Sequence, residues 1–374
     1  MKKYLLLFFA LVLFISCIDL KSFLFDATPA DSTVSDYHGL PLYSGDSPPD
    51  WIDENSVERN IFLSVPEGRM IAPEERADHT DYIHGAFLPA PNLPDSSDAP
   101  LKDKNITFFY THGNSGTMYL YWYRAVALWN MGANVFIFSY RGYGLSKGEA
   151  NAKNIKQDCN TALTYLKTRD DIDKNRIIVY GYSMGGISAS YICGESQRHK
   201  NTCAGVILES ALDAPEEIID ISTGIDFSNE FFIGSETYSG VEFIKGCRIP
   251  VLHFHGSEDQ RVIIDQAYNY YSILKDRDNY THYIGKTSKR HEDWIKESDH
   301  RNLPVHSFKA EEHLSTFYDH PENPNHCCVH PSEYTEPQYS EFLKQVGNTT
   351  GMDISKSSQD YEDLIGNWIK SNFY

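Results

Sequence analysis

The segment Gly181-Tyr182-Ser183-Met184-Gly185-Gly186 places a serine between glycines, directly after the β-branched run Arg176-Ile177-Ile178-Val179-Tyr180 and before the helix-compatible Ile187-Ser188-Ala189-Ser190. Where a strand turns sharply into a helix, side chains beside the turning residue collide, so glycine is required at the flanks. The hydroxyl of Ser183 is then presented at the end of a sheet as a nucleophile. The first amides of the new helix point toward it, and the Met184 N–H can stabilise an oxyanion on a carbonyl under attack. A serine that only capped a helix would not need these glycines.

Three further motifs surround it in order along the chain: His112-Gly113-Asn114-Ser115-Gly116, Tyr140-Arg141-Gly142-Tyr143-Gly144-Leu145-Ser146, and His255-Gly256-Ser257-Glu258-Asp259-Gln260-Arg261-Val262. Each ends or follows an apolar run rich in β-branched and aromatic residues. With them the chain resembles the α/β-hydrolase family, in particular its serine hydrolases of the depalmitoylase-like kind, over about residues 57 to 346. The resemblance implies that the Asn114 N–H is the second oxyanion donor and that Asp259 is the acid of a catalytic triad. A carboxylate there holds a histidine in one tautomer and stabilises its cation. Glu258 and Asp213 are rivals for that role. The Tyr140–Ser146 motif carries Ser139 where the family usually has an acid, and its implied role is to support the oxyanion loop.

The order serine, acid, histidine expected of this family puts the histidine after Asp259. His282, His291, His300, His306, His313, His320, His326 and His330 all qualify. His326 fits the family pattern best if Leu314–Tyr318 is the last strand, residues 319–325 a loop, and Pro337–Val346 the following helix. That choice needs an insertion, because His326 lies 67 residues beyond Asp259. His313 and His291 are the rivals; His291 has the more ordinary spacing but sits in a charged run with no convincing strand before it.

The elements that must hold these groups alternate. Residues 60–65 and 81–91 read as two opening antiparallel strands, followed by strands near 105–112, 133–139, 176–182, 204–210 and 248–256. Helices are expected over about 118–132, 154–167, 186–194 and 264–274, with a further one near 361–369. Strand–helix alternation implies an α/β fold: a mostly parallel sheet, eight-stranded by the resemblance, with helices on both faces. Residues 211–245 are expected to form a small cap, and 276–312 an irregular insertion within a hydrolase domain spanning 51–374.

The start of the chain carries an address. Lys2 and Lys3 precede the apolar run Tyr4–Ser16, which is short for a membrane span, and Phe14-Ile15-Ser16-Cys17 resembles a bacterial lipobox. Residues 1–16 are thus expected to be a lipoprotein signal, Cys17 the lipidated residue, and 17–50 a solvated tether to the cell envelope. Six cysteines follow Cys17; Cys193 and Cys203 could pair in an oxidising compartment, or all could be buried thiols. The formal net charge of -19 disfavours nucleic acid as a partner. The expected partner is a small ester or acyl substrate, with no cofactor and no metal site. The expected activity is hydrolysis of carboxylic esters or thioesters, with a peptidase or an inactive envelope-binding protein of the same fold as alternatives. Radiolabelled fatty acid should be incorporated into the full chain and lost from Cys17→Ser; equal incorporation by both would remove the anchor.

Overall fold

The computed structural model describes residues 25, 27, 42, 49–114, 117, 118, 120–194, 203–214, 238–256, 259, 261–285 and 361–374. The expected signal, Cys17 and most of the tether lie outside these residues. So do residues 215–237 of the expected cap, the strand and helix expected at 314–318 and 337–346, and every candidate histidine except His282.

Eight strands form one sheet in the order β1-β2-β4-β3-β5-β6-β7-β8: β1 (Glu58–Ser64), β2 (Tyr82–Leu88), β3 (Thr107–Thr111), β4 (Asn134–Ser139), β5 (Ile177–Tyr182), β6 (Gly205–Glu209), β7 (Val251–Gly256) and β8 (Tyr280–Gly285). The first two strands are antiparallel, and β2 also runs antiparallel to β4. From β4 across to β8 every pairing is parallel. Parallel neighbours need crossovers, and helices supply them: α1 (Trp122–Asn130), α2 (Ala152–Thr168), α3 (Gly185–Gly194), α4 (Gly240–Ile244) and α5 (Ile264–Leu274), with α6 (Tyr361–Phe373) closing the described chain.

The period of two along β5 splits its side chains between two cores. Ile177 and Val179 join Leu163, Ile187 and Ile192 on one face; Ile178, Tyr180 and Tyr182 join Trp122, Ala125, Trp129, Trp368 and Ile369 on the other. Because both faces are covered, the parallel strands are apolar almost throughout. Their carboxyl ends, where the residue-level motifs sit, meet at one edge of the sheet.

One expectation is corrected. β8 falls inside the stretch 276–312 read as an irregular insertion, and pairs with β7 over six residue positions, from Val251↔Tyr280 to Gly256↔Gly285. Tyr280-Thr281-His282-Tyr283-Ile284 looks polar by composition, yet it is aromatic and β-branched. Its His282 is buried against Tyr271 and His253. The cysteines Cys159, Cys193, Cys203 and Cys247 are all free, buried thiols, so Cys193 and Cys203 are not bridged. Among the described residues no helix is long and apolar enough to cross a membrane.

The core contains several neutral imidazoles. Burial pushes His84 and His282 down to about 3, His112 down to about 4, and His253 well below the ordinary histidine value. These folded values lie below that of an unfolded histidine, so the unfolded chain binds more protons below pH about 6.5. The stability tied to their neutrality is therefore complete above that pH and falls as the pH drops toward the folded values. Each histidine contributes about 1.4 kcal/mol per pH unit in that window. Denaturant unfolding between pH 7 and 4.5 should show this decline with net proton uptake; a flat profile would contradict it.

Candidate active site

Ser183 follows the last residue of β5, and α3 begins two residues later. Its φ is +55°, in the left-handed region that L-residues other than asparagine and aspartate seldom enter. Three backbone bonds hold it there: the Ser183 N–H donates to Glu209 O at 3.0 Å, and the Ser183 carbonyl accepts from Gly186 N at 2.8 Å and Leu212 N at 3.0 Å. The strain is thus fixed by the neighbouring strand β6 and by the chain that leaves it.

The glycines around Ser183 are explained by contact. A Cβ on Gly181 would stand 2.4 Å from Gly185 O, one on Gly185 would stand 2.0 Å from Thr111 O, and one on Gly186 would stand 2.4 Å from the Cβ of Ala211. The helix therefore enters against the backbone of β3 and of the turn after β6 without room for a methyl group. Met184 is buried, and among the described residues its N–H has no backbone acceptor. It stands at the start of α3, where the helix dipole favours negative charge.

The His112-Gly113-Asn114 turn lies against the same spot, since a Cβ on Gly113 would be 3.4 Å from the Ser183 Cβ. The His112 Nδ1–H donates to Gly113 O at 2.7 Å, and the ring stacks on Tyr121 and tilts against Tyr140. It is a buried neutral prop of the turn. Asn114 is oriented by the Tyr143 hydroxyl, which donates to its Oδ1 at 3.0 Å. Tyr143 belongs to the Tyr140–Ser146 motif, whose supporting role becomes visible here. The Tyr140 hydroxyl donates to His112 O at 3.2 Å, and Ser139 Oγ accepts the Met118 N–H at 3.0 Å. Arg141 anchors the motif to α2 through Asp158, donating from Nε at 2.6 Å and from its backbone N–H at 2.9 Å.

Asp259 stands just beyond β7 and is buried. Its Oδ1 accepts the N–H groups of Arg261 at 2.9 Å and Val262 at 3.0 Å, which closes the turn into α5. Its Oδ2 lies 3.7 Å from His255 Nε2, while that nitrogen donates to Val262 O at 2.7 Å. The rival Asp213 is committed elsewhere. Its carboxylate accepts from Ser239 Oγ, Val241 N and Asn269 Nδ2, so it braces the start of α4, and burial holds its pKa above the ordinary range. Glu258, His291, His313 and His326 lie outside the described residues. His282 is placed on β8 with its Nδ1 bonded to the Tyr280 hydroxyl, inside the core rather than at the strand ends.

Sequence reasoning missed a buried ionic group under the Ser183 turn. Arg124 on α1 donates from Nη1 to Glu209 Oε1 at 2.7 Å, and both side chains are essentially unexposed. The available signal was one arginine inside the apolar helix Trp122–Asn130 and one glutamate ending the apolar strand Gly205–Glu209. Among the described residues no group of histidine, cysteine and carboxylate side chains is disposed to hold a metal ion.

Residues 121–311 match the profile of the prolyl oligopeptidase family. The chain is 28% identical over 229 residues to the uncharacterized protein YfhR of Escherichia coli O157:H7, covering 58% of this chain and 75% of that protein. It is 32% identical over 158 residues to the protein bem46 of Schizosaccharomyces pombe, covering 42% and 52% respectively. Among solved structures, the esterase Pf2001 of Pyrococcus furiosus superposes with a TM-score of 0.46 at 17% identity, over 73% of this chain and 97% of the esterase. The tight packing of α3 yields a test. Gly185→Ala should give an insoluble or markedly destabilised protein, because the Thr111–His112 backbone must move to admit the methyl group; a variant that melts with the wild type would refute the contact.

Proposed function

The chain belongs to the prolyl oligopeptidase family of serine hydrolases, and from that premise we propose that it cleaves carboxylic ester or thioester bonds through an acyl-enzyme formed on Ser183. The observation that carries this reading is the strained Ser183 backbone at the mouth of α3, beside a second turn at Gly113-Asn114. In the proposed reaction a histidine takes the Ser183 proton as Oγ attacks the carbonyl carbon. The carbonyl oxygen becomes an oxyanion facing the N–H groups of Met184 and Asn114. The imidazolium then gives its proton to the leaving alcohol or thiol, and water reverses the sequence to release the acid. Asp259 supplies the carboxylate that orients the imidazole, a role suited to its place after β7 and to the turn that fixes its Oδ1.

For the histidine, the fold favours His291 over His326 and His313. The case for His326 used a last strand at 314–318, but β8 ends at Gly285, six residues before His291. The family match also ends at residue 311, before His313 and His326. A strand followed by a short loop and then the histidine is the arrangement this fold uses.

Peptide cleavage is the second reading, and the family profile is what favours it. Among the described residues ahead of the matched region, those at 58–64, 82–88 and 107–111 build β1, β2 and β3 of the same sheet. The expected setting is the cell envelope, reached through the signal and Cys17.

A soluble form starting after Cys17 should hydrolyse nitrophenyl esters of graded chain length faster than aminoacyl nitroanilides; the reverse order would establish the peptidase. A fluorophosphonate should label the wild type and not Ser183→Ala, whose kcat should fall by about 10³-fold or more. Asp259→Asn should lose about 10²- to 10⁴-fold. His291→Ala should abolish labelling while His326→Ala retains it, and the opposite pattern would return the role to His326.

A further inference from the structure

The ion pair beneath the nucleophile turn is costly. Removing a guanidinium and a carboxylate from water costs several kcal/mol per ion, and such pairs are often replaceable by apolar residues without loss of stability. Here the pairing is also incomplete, because among the described residues the buried Arg124 Nη2 has no hydrogen-bond partner. Stability alone therefore does not account for it.

Its contacts converge on Ser183. The Glu209 backbone carbonyl receives the Ser183 N–H, while the same residue's carboxylate receives Arg124 through Oε1 and the Tyr180 hydroxyl through Oε2 at 2.6 Å. The Tyr180 oxygen in turn lies 2.8 Å from the Tyr361 hydroxyl at the start of α6. On the other side, the Arg124 guanidinium covers the ring of Tyr182 at 3.9 Å from its centroid, and Arg124 Nε donates to the Tyr123 hydroxyl at 3.0 Å. Tyr182 packs on Tyr121, whose hydroxyl stands 2.7 Å from where a Gly113 Cβ would be. Both residues of β5 nearest to Ser183 on this face are thus held by one charge pair, and the chain of contacts continues to the turn that carries Asn114.

We infer that Arg124 and Glu209 are positioning residues for the nucleophile: the buried pair fixes the Ser183 turn relative to the Gly113-Asn114 turn, with Tyr361 bracing the carboxylate through Tyr180. The inference rests on the acyl-enzyme reading. It differs from a structural role in one consequence: removing both charges together restores stability without restoring the geometry, because no apolar pair can receive Tyr180 and cover Tyr182 in the same way.

The test uses the full chain as Arg124→Met, Glu209→Met, the double variant, and Tyr361→Phe, assayed with nitrophenyl acetate alongside thermal melts. Each single charge deletion strands the opposite charge and should lower Tm and kcat together. The double variant should regain a Tm close to wild type, yet keep a kcat about 10-fold or more below it, with KM changed by less than about twofold. Tyr361→Phe should melt near the wild type with a kcat lowered by about threefold. Recovery of kcat with Tm in the double variant would overturn the proposal, as would losses confined to KM. If the charge variants fail to fold, Tyr361→Phe decides: full kcat overturns the proposal, and a reduced kcat at wild-type Tm supports it. A wild type that neither turns over esters nor reacts with a fluorophosphonate would fail the acyl-enzyme reading itself. An active wild type with a fully active double variant would fail only the positioning role.

Discussion

The structure depends on one backbone residue held where its chain direction reverses. Ser183 sits in the left-handed region between β5 and α3, and nothing in its own side chain favours that conformation. The cost, of order 1–3 kcal/mol, is met by the surroundings. Strand β6 accepts its N–H, the start of α3 and the turn after β6 donate to its carbonyl, and three glycines allow the helix to approach β5, β3 and the turn after β6. The sheet order follows from the same demand. β5 is an interior parallel strand, flanked by β3 with the Gly113-Asn114 turn and by β6 with Glu209, so the two strands that shape the site are its immediate neighbours.

This arrangement puts polar groups where they are expensive, and the molecule handles each differently. His112 stays neutral and spends one nitrogen on its own turn. Asp158 is buried beside Arg141 and serves as the anchor of the Tyr140–Ser146 loop. Arg124 and Glu209 remain as a pair under the Ser183 turn. Buried charge of this kind lowers the tolerance of the fold for single substitutions, since deleting one partner leaves the other without compensation. It also ties α1 to the end of β6 directly beside the Ser183 backbone.

Much of this was legible in the residues. Glycine spacing around Ser183 announced the turn because only steric exclusion explains it, and the apolar periods of 118–132, 154–167 and 264–274 announced helices that the structure contains, at Trp122–Asn130, Ala152–Thr168 and Ile264–Leu274. β8 was not legible, since its tyrosines, threonine and histidine count as polar by composition although they pack as aromatic and β-branched residues. The Arg124–Glu209 pair was hidden for the opposite reason: single charges in apolar runs are ordinarily read as surface positions. The histidine stayed undecided because seven stand between β8 and α6, and sequence spacing alone does not say which returns to the strand ends.

The central claim is that the Ser183 oxygen is a nucleophile on which two amides and an imidazole converge. A crystal structure of the protein after reaction with a small fluorophosphonate tests it most directly. The account predicts phosphorus bonded to Ser183 Oγ, its phosphoryl oxygen within about 3 Å of the Met184 and Asn114 nitrogens, and an imidazole beside Oγ backed by Asp259. Phosphorus on another residue, or a phosphoryl oxygen turned to solvent with no imidazole near Oγ, would contradict it.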